Sequence, residues 1–292
     1  PDFEQRYRRF VSLCKPLLLE NGGKFGGFGF DIGGNPIQAI WACDELKSTR
    51  SFTGKPLHMG GTDYDREGIA GLGVAIAAKT MLELKGEDTK LVTFAVQGMG
   101  AMGAAVYRYF SATGAQLAVL GDPKYGGTWH FDGPPSAELH LALIENKVDQ
   151  AKALLEQEGK KISGDAIDAL YQDVDVLFPC AVQDVITDAN VERITARFMS
   201  EGANKPTKES AQLRLHEKGI WVVPDFIANS GGIIAAYIEL TSSSDDKCNE
   251  AKNLTSSKIT ENVREMVALM DQYNIAPQQA GMSMALTRIL KA

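Results

Sequence analysis

The sequence predicts an α/β protein, with a doubly wound, mainly parallel sheet and helical additions at both ends. Short apolar segments rich in β-branched residues alternate along the chain with longer segments whose apolar residues recur at helical spacing. Strands that are apolar throughout are typical of parallel sheets covered by helices on both faces. In one place a glycine-rich turn joins such a strand to the helix that follows it. At 292 residues the chain is long enough for one large domain with additions, or for two domains.

The N-terminal part of the chain is predicted to be mainly helical. Residues 2–20 place apolar side chains near one face of a helix, and residues 37–46 fit a second helix that begins at Pro36. The loop between them, residues 21–34, is rich in glycine. Glycine and proline recur over residues 51–61, which we interpret as a linker and as the first domain boundary.

The most informative segment is a strand, a glycine turn and a helix in direct succession. Residues 91–96 are predicted to form a buried strand and residues 101–110 a helix, with the spacing G-x-G-x-x-G between them. In such a turn the first glycine permits a tight bend, the second lets the backbone approach a pyrophosphate, and the third lets helix and strand pack closely. The free N–H groups at the helix N-terminus favour the phosphates. The segment therefore predicts a Rossmann-type dinucleotide site formed by Gly98, Met99, Gly100, Ala101, Met102 and Gly103.

The residue that follows the next strand bears on the choice of cofactor. Residues 116–120 are predicted to form this strand, and Asp122 comes two residues after its end, about 20 positions beyond the glycines. A carboxylate at this position accepts hydrogen bonds from a ribose 2′-hydroxyl and repels a 2′-phosphate, so Asp122 favours NAD. Lys124 could offset that repulsion, which leaves NADP possible.

The alternation of strands and helices continues to the C-terminus. A helix that is apolar almost all round is predicted before the glycine turn, and it should be deeply buried. Two amphipathic helices are predicted at the C-terminus. The helix before the turn covers 66–84. Beyond the glycine turn, strands are predicted at 174–178, 198–199 and 220–223, and helices at 136–157, 207–218 and from 255 onward.

Composition excludes several classes of function. The formal net charge is −7 and there is no Lys/Arg run, so binding to nucleic acid is not expected. No apolar stretch reaches ~18 residues, so no membrane span is expected. The N-terminus lacks a signal-peptide core, which favours the cytoplasm, with the mitochondrial matrix as an alternative. The four cysteines are scattered, as in proteins with reduced thiols and neither a disulfide framework nor a metal site: Cys14, Cys43, Cys180 and Cys248.

Several motifs together resemble one family, the glutamate/leucine/phenylalanine/valine dehydrogenases. They stand in the family's order and spacing over nearly the whole chain, and Glu-Gly-Ala-Asn-x-Pro-Thr is similar to the glutamate branch. The matching runs are Gly54-Lys-Pro-Leu57, Gly60-Gly61, Arg66, Gly71-Leu-Gly-Val74, Phe94-Ala-Val-Gln-Gly-Met-Gly100, Pro179-Cys-Ala181, Glu201-Gly-Ala-Asn204, Pro206-Thr207, Pro224-Asp225 and Asn229-Ser-Gly-Gly232.

The resemblance implies NAD(P)-dependent oxidative deamination of an L-amino acid, chiefly L-glutamate to 2-oxoglutarate and ammonia. It implies that this chain supplies the nucleotide-binding part, that small-molecule amino and 2-oxo acids are its partners, and that the full-length protein is a homo-oligomer. The implied division is a remnant of the substrate domain at 1–60, a dinucleotide-binding domain at 61–240, and C-terminal helices at 241–292 that pack back on the cleft. The family's substrate-binding lysines are expected before Pro1.

The resemblance also assigns site residues. Asp31 takes the position of the family's catalytic aspartate. Cys180, Ala181, Asn204 and Asn229 take cofactor-binding positions, and the last of these is also a substrate contact, together with Ala236.

The chain departs from the family pattern at a few positions. Ala70, Asp184 and Ala236 stand where the family usually has Thr, Asn and, in glutamate enzymes, often Ser. Residues 4–10 resemble the family's arginine-containing helix. Lys24 lies in a Gly-Gly-Lys run like the family's lysine segment, which should precede that helix, but Lys24 follows it and is interpreted as a solvated loop residue. These departures keep a second hypothesis open, a dinucleotide-binding regulatory homologue without turnover. A hydroxy-acid dehydrogenase is a weaker third hypothesis, because no His–Asp/Arg set stands in a suitable context.

Overall fold

A computed structural model describes residues 2–29, 34 and 36–291. The described residues contain one sheet, and most of its strands are short and almost fully buried. The strands are β1 (Thr93–Gln97), β2 (Gln116–Asp122), β3 (Gly127–His130), β4 (Lys160–Ser163), β5 (Val176–Pro179), β6 (Phe198–Ser200) and β7 (Trp221–Val223).

Within the described residues the seven strands form one sheet in the order β4-β3-β2-β1-β5-β6-β7. Strands β2, β1, β5, β6 and β7 run parallel, whereas β3 and β4 add an antiparallel edge. The prediction of a mainly parallel α/β sheet is therefore confirmed. The helices are α1 (Asp2–Cys14), α2 (Pro36–Leu46), α3 (Tyr64–Glu67), α4 (Ile69–Leu84), α5 (Ala101–Ser111), α6 (Ala137–Ile144), α7 (Val148–Glu158), α8 (Glu209–Glu217), α9 (Asp225–Ala228), α10 (Gly231–Thr241), α11 (Lys247–Tyr273) and α12 (Pro277–Lys291).

The chain divides into two compact units. The first contains Pro1–Ile69 and Gly231–Thr255, and the second contains Ala70–Ser230 and Ser256–Ala292. The whole sheet belongs to the second unit. None of the described helices is long and apolar enough to cross a membrane.

Three phenylalanines fix the glycine turn in the core of the second unit. The ring of Phe94 on β1 meets Phe110 on α5 edge-on at 5.1 Å between centroids, and Phe178 on β5 at 5.8 Å. Phe110 and Phe178 also contact each other at 4.9 Å. Each such pair adds ~0.5–1.5 kcal/mol beyond the area that it buries. The helix that follows the turn is thereby held against the two strands on whose ends the candidate site lies.

A buried ion pair organises the first unit. The side chain of Glu239 on α10 is fully buried and accepts hydrogen bonds from the N–H of Gly54 at 3.0 Å and from the N–H and hydroxyl of Thr62, both at 2.7 Å. Its other oxygen accepts from the ammonium of Lys55 at 2.7 Å, and Lys55 also donates to the carbonyl of Phe52. Since every oxygen of Glu239 has a donor, the network ties the loop after α2 to α10.

Several predicted helices differ from those observed, and each difference has a local cause. The helix predicted over 2–20 ends at Cys14, because Pro16 lacks the N–H that would continue it. The predicted helix 66–84 is divided into α3 and α4 by Gly68, whose φ is +65°. Likewise 136–157 is divided into α6 and α7 near Asn146, which has a φ of +55°.

Two strands were not predicted from the sequence, and one helix begins earlier than predicted. The antiparallel strands β3 and β4 have four residues each, and β4 is mostly exposed, so neither carries the apolar pattern of a buried strand. Helix α11 begins at Lys247, earlier than the predicted start at 255. The Thr-Ser-Ser-Ser-Asp-Asp run precedes the helix and ends where the helix begins, so the run does not interrupt the helix. The predicted strands at 174–178, 198–199 and 220–223 correspond to β5, β6 and β7.

Candidate dinucleotide-binding site

The candidate site lies at the carboxyl ends of the neighbouring parallel strands β1 and β5. The strand that follows β1 in sequence and the strand that follows β5 lie on opposite sides of this pair in the sheet. Strand β1 has β2 on one side and β5 on the other, so the order of the strands reverses between β1 and β5. Ligands of open α/β sheets bind outside the carboxyl ends of the strands at such a switch point. Gly98 follows β1 and Cys180–Ala181 follow β5 at this edge. A Cβ at Gly98 would lie 2.5 Å from the Cα of Ala181, so the two turns are in close contact.

The three glycines of the turn have different surroundings. Gly98 has a φ of +90°, a conformation that other residues rarely adopt. A Cβ at Gly103 would lie 1.8 Å from the carbonyl oxygen of Gly98, so the helix can approach the turn only without a side chain there. At Gly100, in contrast, a Cβ would meet no described heavy atom within 4 Å. Packing thus explains two of the glycines, while the third faces open space at the N-terminus of α5.

Asp122 is tied to the glycine turn. It is 9% exposed, and one carboxylate oxygen accepts from the N–H of Met99 at 2.6 Å while the other accepts from the N–H of Lys124 at 2.8 Å. Each carboxylate oxygen has a second acceptor position, so these bonds leave Asp122 able to accept from a hydroxyl as well. The residue predicted to bind a ribose therefore also holds the backbone of the turn.

The ammonium of Lys124 lies beside the same turn. It donates to the carbonyl oxygen of Met99 and to the side-chain oxygen of Asn146, and it stands 4.9 Å from the centre of the Tyr125 ring. Burial lowers the pKa of this ammonium, and the charge of Asp122 opposes the shift. A cation is thus present near the residue that was predicted to disfavour a 2′-phosphate.

Asn204 and Asn229 are brought together although they are far apart in sequence. The side-chain amide of Asn229 donates to the side-chain oxygen of Asn204 at 2.8 Å and to the carbonyl of Gly202 at 3.1 Å. Asn204 is exposed and follows β6, while Asn229 follows α9. Each side chain therefore orients the other, and the outer amide of Asn204 is left facing solvent.

Cys180 follows β5 and packs against the turn that follows β6. A Cβ at Gly202 would lie 2.5 Å from its sulfur and 3.1 Å from the side chain of Met102, so the turn after β6 packs directly on the first turn of α5. Burial raises the pKa of the Cys180 thiol far above its ordinary value. The thiol is therefore a packing group that stays protonated and is not a nucleophile.

Comparisons with known proteins identify the family of the chain. A family model described as Glutamate/Leucine/Phenylalanine/Valine dehydrogenase matches residues 60–292. The chain belongs to this family. The resemblance drawn from the sequence motifs is thereby confirmed.

Two curated relatives differ in the cofactor that their names specify. A protein named NADP(+)-dependent glutamate dehydrogenase from Pyrobaculum calidifontis is 35% identical over 244 residues, which cover 82% of this chain and 56% of that protein. A protein named NAD-specific glutamate dehydrogenase A from Halobacterium salinarum is 29% identical over 271 residues, which cover 90% of this chain and 60% of that protein. The chain thus spans a little more than half the length of these relatives.

The fold has close counterparts among solved structures. One is described as a hetero-hexameric glutamate dehydrogenase from Thermus thermophilus, with a TM-score of 0.77 at 21% sequence identity. The match covers 98% of this chain and 67% of that chain. This likeness establishes the fold.

The family motif Glu201-Gly-Ala-Asn204 contains a residue that was not singled out from the sequence. Glu201 is 1% exposed, and one of its carboxylate oxygens accepts from the N–H of Asp225 at 3.0 Å. Burial, with a contribution from the charge of Asp225, raises its pKa to about 7. The signal in the sequence was a carboxylate directly after the buried strand residues 198–200, where charged side chains are rare unless they have a partner.

The remaining predicted site residues belong to the first unit or lie outside the described residues. Ala236 is half-buried on α10, and Lys24 is exposed in the glycine-rich loop, as its interpretation as a solvated residue expects. Asp31 lies outside the described residues. The catalytic role of Asp31 and the substrate contact of Ala236 therefore stay predictions. Of the described residues, no group of three His, Cys, Asp or Glu side chains could hold a metal ion.

Proposed function

We propose that this chain supplies the nucleotide-binding part of an NAD(P)-dependent dehydrogenase that converts L-glutamate to 2-oxoglutarate and ammonia. The observation that carries the proposal is the glycine turn at the switch point of the sheet. Gly98 and Gly103 are fixed by packing, whereas the space beside Gly100 is open. Membership of the family and the names of the curated relatives support the reaction.

The residues of the turn fit the pyrophosphate of a dinucleotide. The first backbone N–H groups of α5 have no acceptor within the helix, and the positive end of the helix dipole lies at the same place. Phosphate oxygens would accept from these N–H groups beside Gly100. When bound, the cofactor supplies a nicotinamide ring that accepts a hydride from the amino acid.

The adenosine end is assigned to Asp122, with a preference for NAD. Its carboxylate keeps acceptor positions free and repels a second negative charge, which disfavours a 2′-phosphate. Lys124 reduces that repulsion, because its ammonium lies beside the same turn. We therefore expect NAD to bind more tightly than NADP, and NADP to bind measurably.

The nicotinamide end is assigned to Ala181 and to the Asn204–Asn229 pair. The mutual hydrogen bond of the two asparagines fixes their side chains before any ligand binds, which reduces the entropy that binding would cost. Asn204 then offers an exposed amide donor.

The substrate side of the reaction is assigned by resemblance. Asp31 would move protons to and from the amine nitrogen, work that a positioned carboxylate performs. Asn229 and Ala236 would face the amino acid, although Ala236 has no donor for a second carboxylate. We further propose that the full-length protein is a homo-oligomer that acts in the cytoplasm on small-molecule amino and 2-oxo acids.

A second function is favoured by the departures from the family pattern. Ala70 lacks a hydroxyl, Asp184 adds a charge near the end of β5, and Ala236 lacks a donor. Three such changes favour a homologue that binds the dinucleotide but does not catalyse the reaction, and whose role is regulation or interaction with a partner.

Turnover distinguishes the two proposals. The assay follows NADH and NADPH absorbance with L-glutamate, L-leucine and L-valine, using the full protein and its Asp31→Asn variant. Turnover with L-glutamate that Asp31→Asn abolishes supports the dehydrogenase, whereas NADH binding with no turnover for any amino acid supports the regulatory homologue. Turnover that survives Asp31→Asn removes Asp31 from the mechanism.

A further inference from the structure

Two side chains at the end of β2 hold consecutive peptide groups of the glycine turn. The carboxylate of Asp122 accepts from the N–H of Met99 at 2.6 Å, and the ammonium of Lys124 donates to the carbonyl oxygen of Met99. The first bond fixes the peptide group between Gly98 and Met99. The second fixes the peptide group between Met99 and Gly100, and the assignment of Asp122 to the ribose does not explain it.

The contact with Lys124 sets the direction of the N–H of Gly100. A trans peptide group is planar, so its N–H and its carbonyl point in opposite directions. None of the described peptide bonds is cis. Because the carbonyl of Met99 is directed at the ammonium of Lys124, the N–H of Gly100 points away from it. Among the residues that the structure describes, this N–H has no acceptor.

The N–H of Gly100 extends the set of free N–H groups at the start of α5. The carbonyl of Gly100 accepts the first bond of the helix, from the N–H of Ala104 at 3.0 Å. The N–H groups of residues 101–103 therefore have no acceptor within the helix, and that of Gly100 precedes them in the chain. A pyrophosphate in the open space beside Gly100 would accept from several of these donors together.

The peptide group before Gly100 is easily rotated unless a contact holds it. Its rotation changes ψ of Met99 and φ of Gly100, and glycine adopts positive as well as negative φ. The φ of Gly100 in the structure is −67°. After a rotation the carbonyl oxygen of Met99 would take the place of the N–H of Gly100 and would repel a phosphate. The missing side chain at Gly100 thus leaves room for the phosphates and also removes a constraint, which the bond from Lys124 restores.

The ammonium of Lys124 is itself held in place from several sides. It also donates to the side-chain oxygen of Asn146, between α6 and α7, and it lies 4.9 Å from the centre of the Tyr125 ring. The backbone N–H of Lys124 donates to Asp122 at 2.8 Å. The indole N–H of Trp129 donates to the carbonyl of Tyr125 at 3.0 Å, which fixes the next residue of the chain. Lys124 therefore reaches the turn from a rigid support.

We propose that Lys124 is a positioning residue for the pyrophosphate, whose ammonium, held by Asn146, fixes the peptide group between Met99 and Gly100 so that the N–H of Gly100 faces the cofactor. This role rests on the proposed function, since it takes the glycine turn as the pyrophosphate site. It makes Lys124 necessary for NADH as well as for NADPH, whereas a contact with the 2′-phosphate would concern NADPH alone.

Two readouts test this role, of which only one involves the cofactor. The first is the NMR residual dipolar coupling of the Gly100 amide in the free protein, which reports the direction of the N–H bond. The second is the set of Kd values for NADH, NADPH and adenosine. Lys124→Met removes the ammonium, and Asn146→Gly removes its second acceptor at a residue whose φ of +55° suits glycine. Lys152→Met is the matched control, because Lys152 is an exposed lysine of the same unit.

In Lys124→Met we expect the dipolar coupling of Gly100 to change and the Kd values of NADH and NADPH to rise by a similar factor. That factor should be about tenfold or more, since a hydrogen bond from a charged group contributes about that much. The Kd of adenosine, which has no pyrophosphate, should stay the same, because the carboxylate of Asp122 is kept. Asn146→Gly should give a smaller change in the same direction and no further change when combined with Lys124→Met. Lys152→Met should behave as the wild type.

The two readouts separate failure of the inference from failure of the proposed function. An unchanged coupling of Gly100 in Lys124→Met overturns the inference while NADH binding stands. A loss of affinity for NADPH alone overturns it too and assigns Lys124 to the 2′-phosphate, and an equal loss for adenosine overturns it by assigning the effect to the ribose. If NADH fails to bind to the wild type, the proposed function is contradicted, and with it the cofactor role of Lys124. If Lys124→Met does not fold, Asn146→Gly, at an exposed residue, decides by the same criteria.

Discussion

At the scale of single residues, the sequence motifs predict a site on the glycine turn but do not predict its internal contacts. The spacing of Gly98, Gly100 and Gly103 predicts three different roles. Close packing surrounds Gly98 and Gly103, whereas the role of Gly100 beside a pyrophosphate stays a prediction. The contacts of Asp122 with the backbone of the turn could not be predicted, because they depend on how β1 and β2 pair. Glu201 was overlooked because α12, which is distant from it in sequence, contributes to its burial.

The double role of Asp122 leads to a prediction about both cofactor choice and stability. Asp122→Ser should weaken the binding of NADH more than that of NADPH, because it removes the ribose acceptor and the repulsion of a 2′-phosphate together. It should also lower the free energy of unfolding by about 1–3 kcal/mol, since the N–H of Met99 loses a charged acceptor. Kd values for both cofactors and urea denaturation measure the two effects, with the exposed Asp149→Ser as control. An equal loss for NADH and NADPH would show that Asp122 does not face the ribose.

At the scale of elements, local chemistry predicted most strands but not where helices break. Buried strands were recognised because their apolar runs are continuous, as in β1 and β5. Gly68 and Asn146 adopt left-handed backbone conformations, which these residue types favour, but isolated glycine and asparagine also occur inside helices, so their presence alone did not predict the breaks. The edge strands β3 and β4 were missed because pairing, and not their composition, makes them strands.

The buried pair of Lys55 and Glu239 supports a prediction about how α10 holds the loop before α3. Glu239→Leu should lower the free energy of unfolding by about 3–5 kcal/mol, because it leaves the ammonium and the donors of Gly54 and Thr62 buried without an acceptor. Urea denaturation measures the loss. The control, Lys79→Met, breaks the half-exposed pair with Glu83 and should change stability by less than about 1 kcal/mol. Similar losses in both variants would contradict a special role for the buried network.

At the scale of the whole molecule, the shifted pKa of Glu201 predicts how stability depends on pH. The folded protein binds this proton up to about pH 7, whereas the unfolded chain releases it near 4.5, its ordinary value. Between these values the unfolded state binds fewer protons, so stability falls as pH rises. The contribution is fully present below about 4.5 and is lost on the way to about 7, an amount on the order of 3 kcal/mol. Chemical denaturation across this range should show that the free energy of unfolding declines with pH in the wild type but not in Glu201→Gln. The same dependence on pH in both proteins would contradict the raised pKa of Glu201.

The central claim is that the glycine turn of this chain binds a dinucleotide, and the affinity of NADH for Gly100→Val tests it most directly. Valine has room in the protein alone, since no described atom lies within 4 Å of the added Cβ and φ is −67°, so the variant should fold. The side chain would occupy the space assigned to the pyrophosphate. Gly133→Val is the matched control, because Gly133 is equally open but lies outside the site. In a fluorescence titration we expect Gly100→Val to abolish NADH binding and Gly133→Val to leave the Kd unchanged; unchanged binding by a folded Gly100→Val protein would contradict the account.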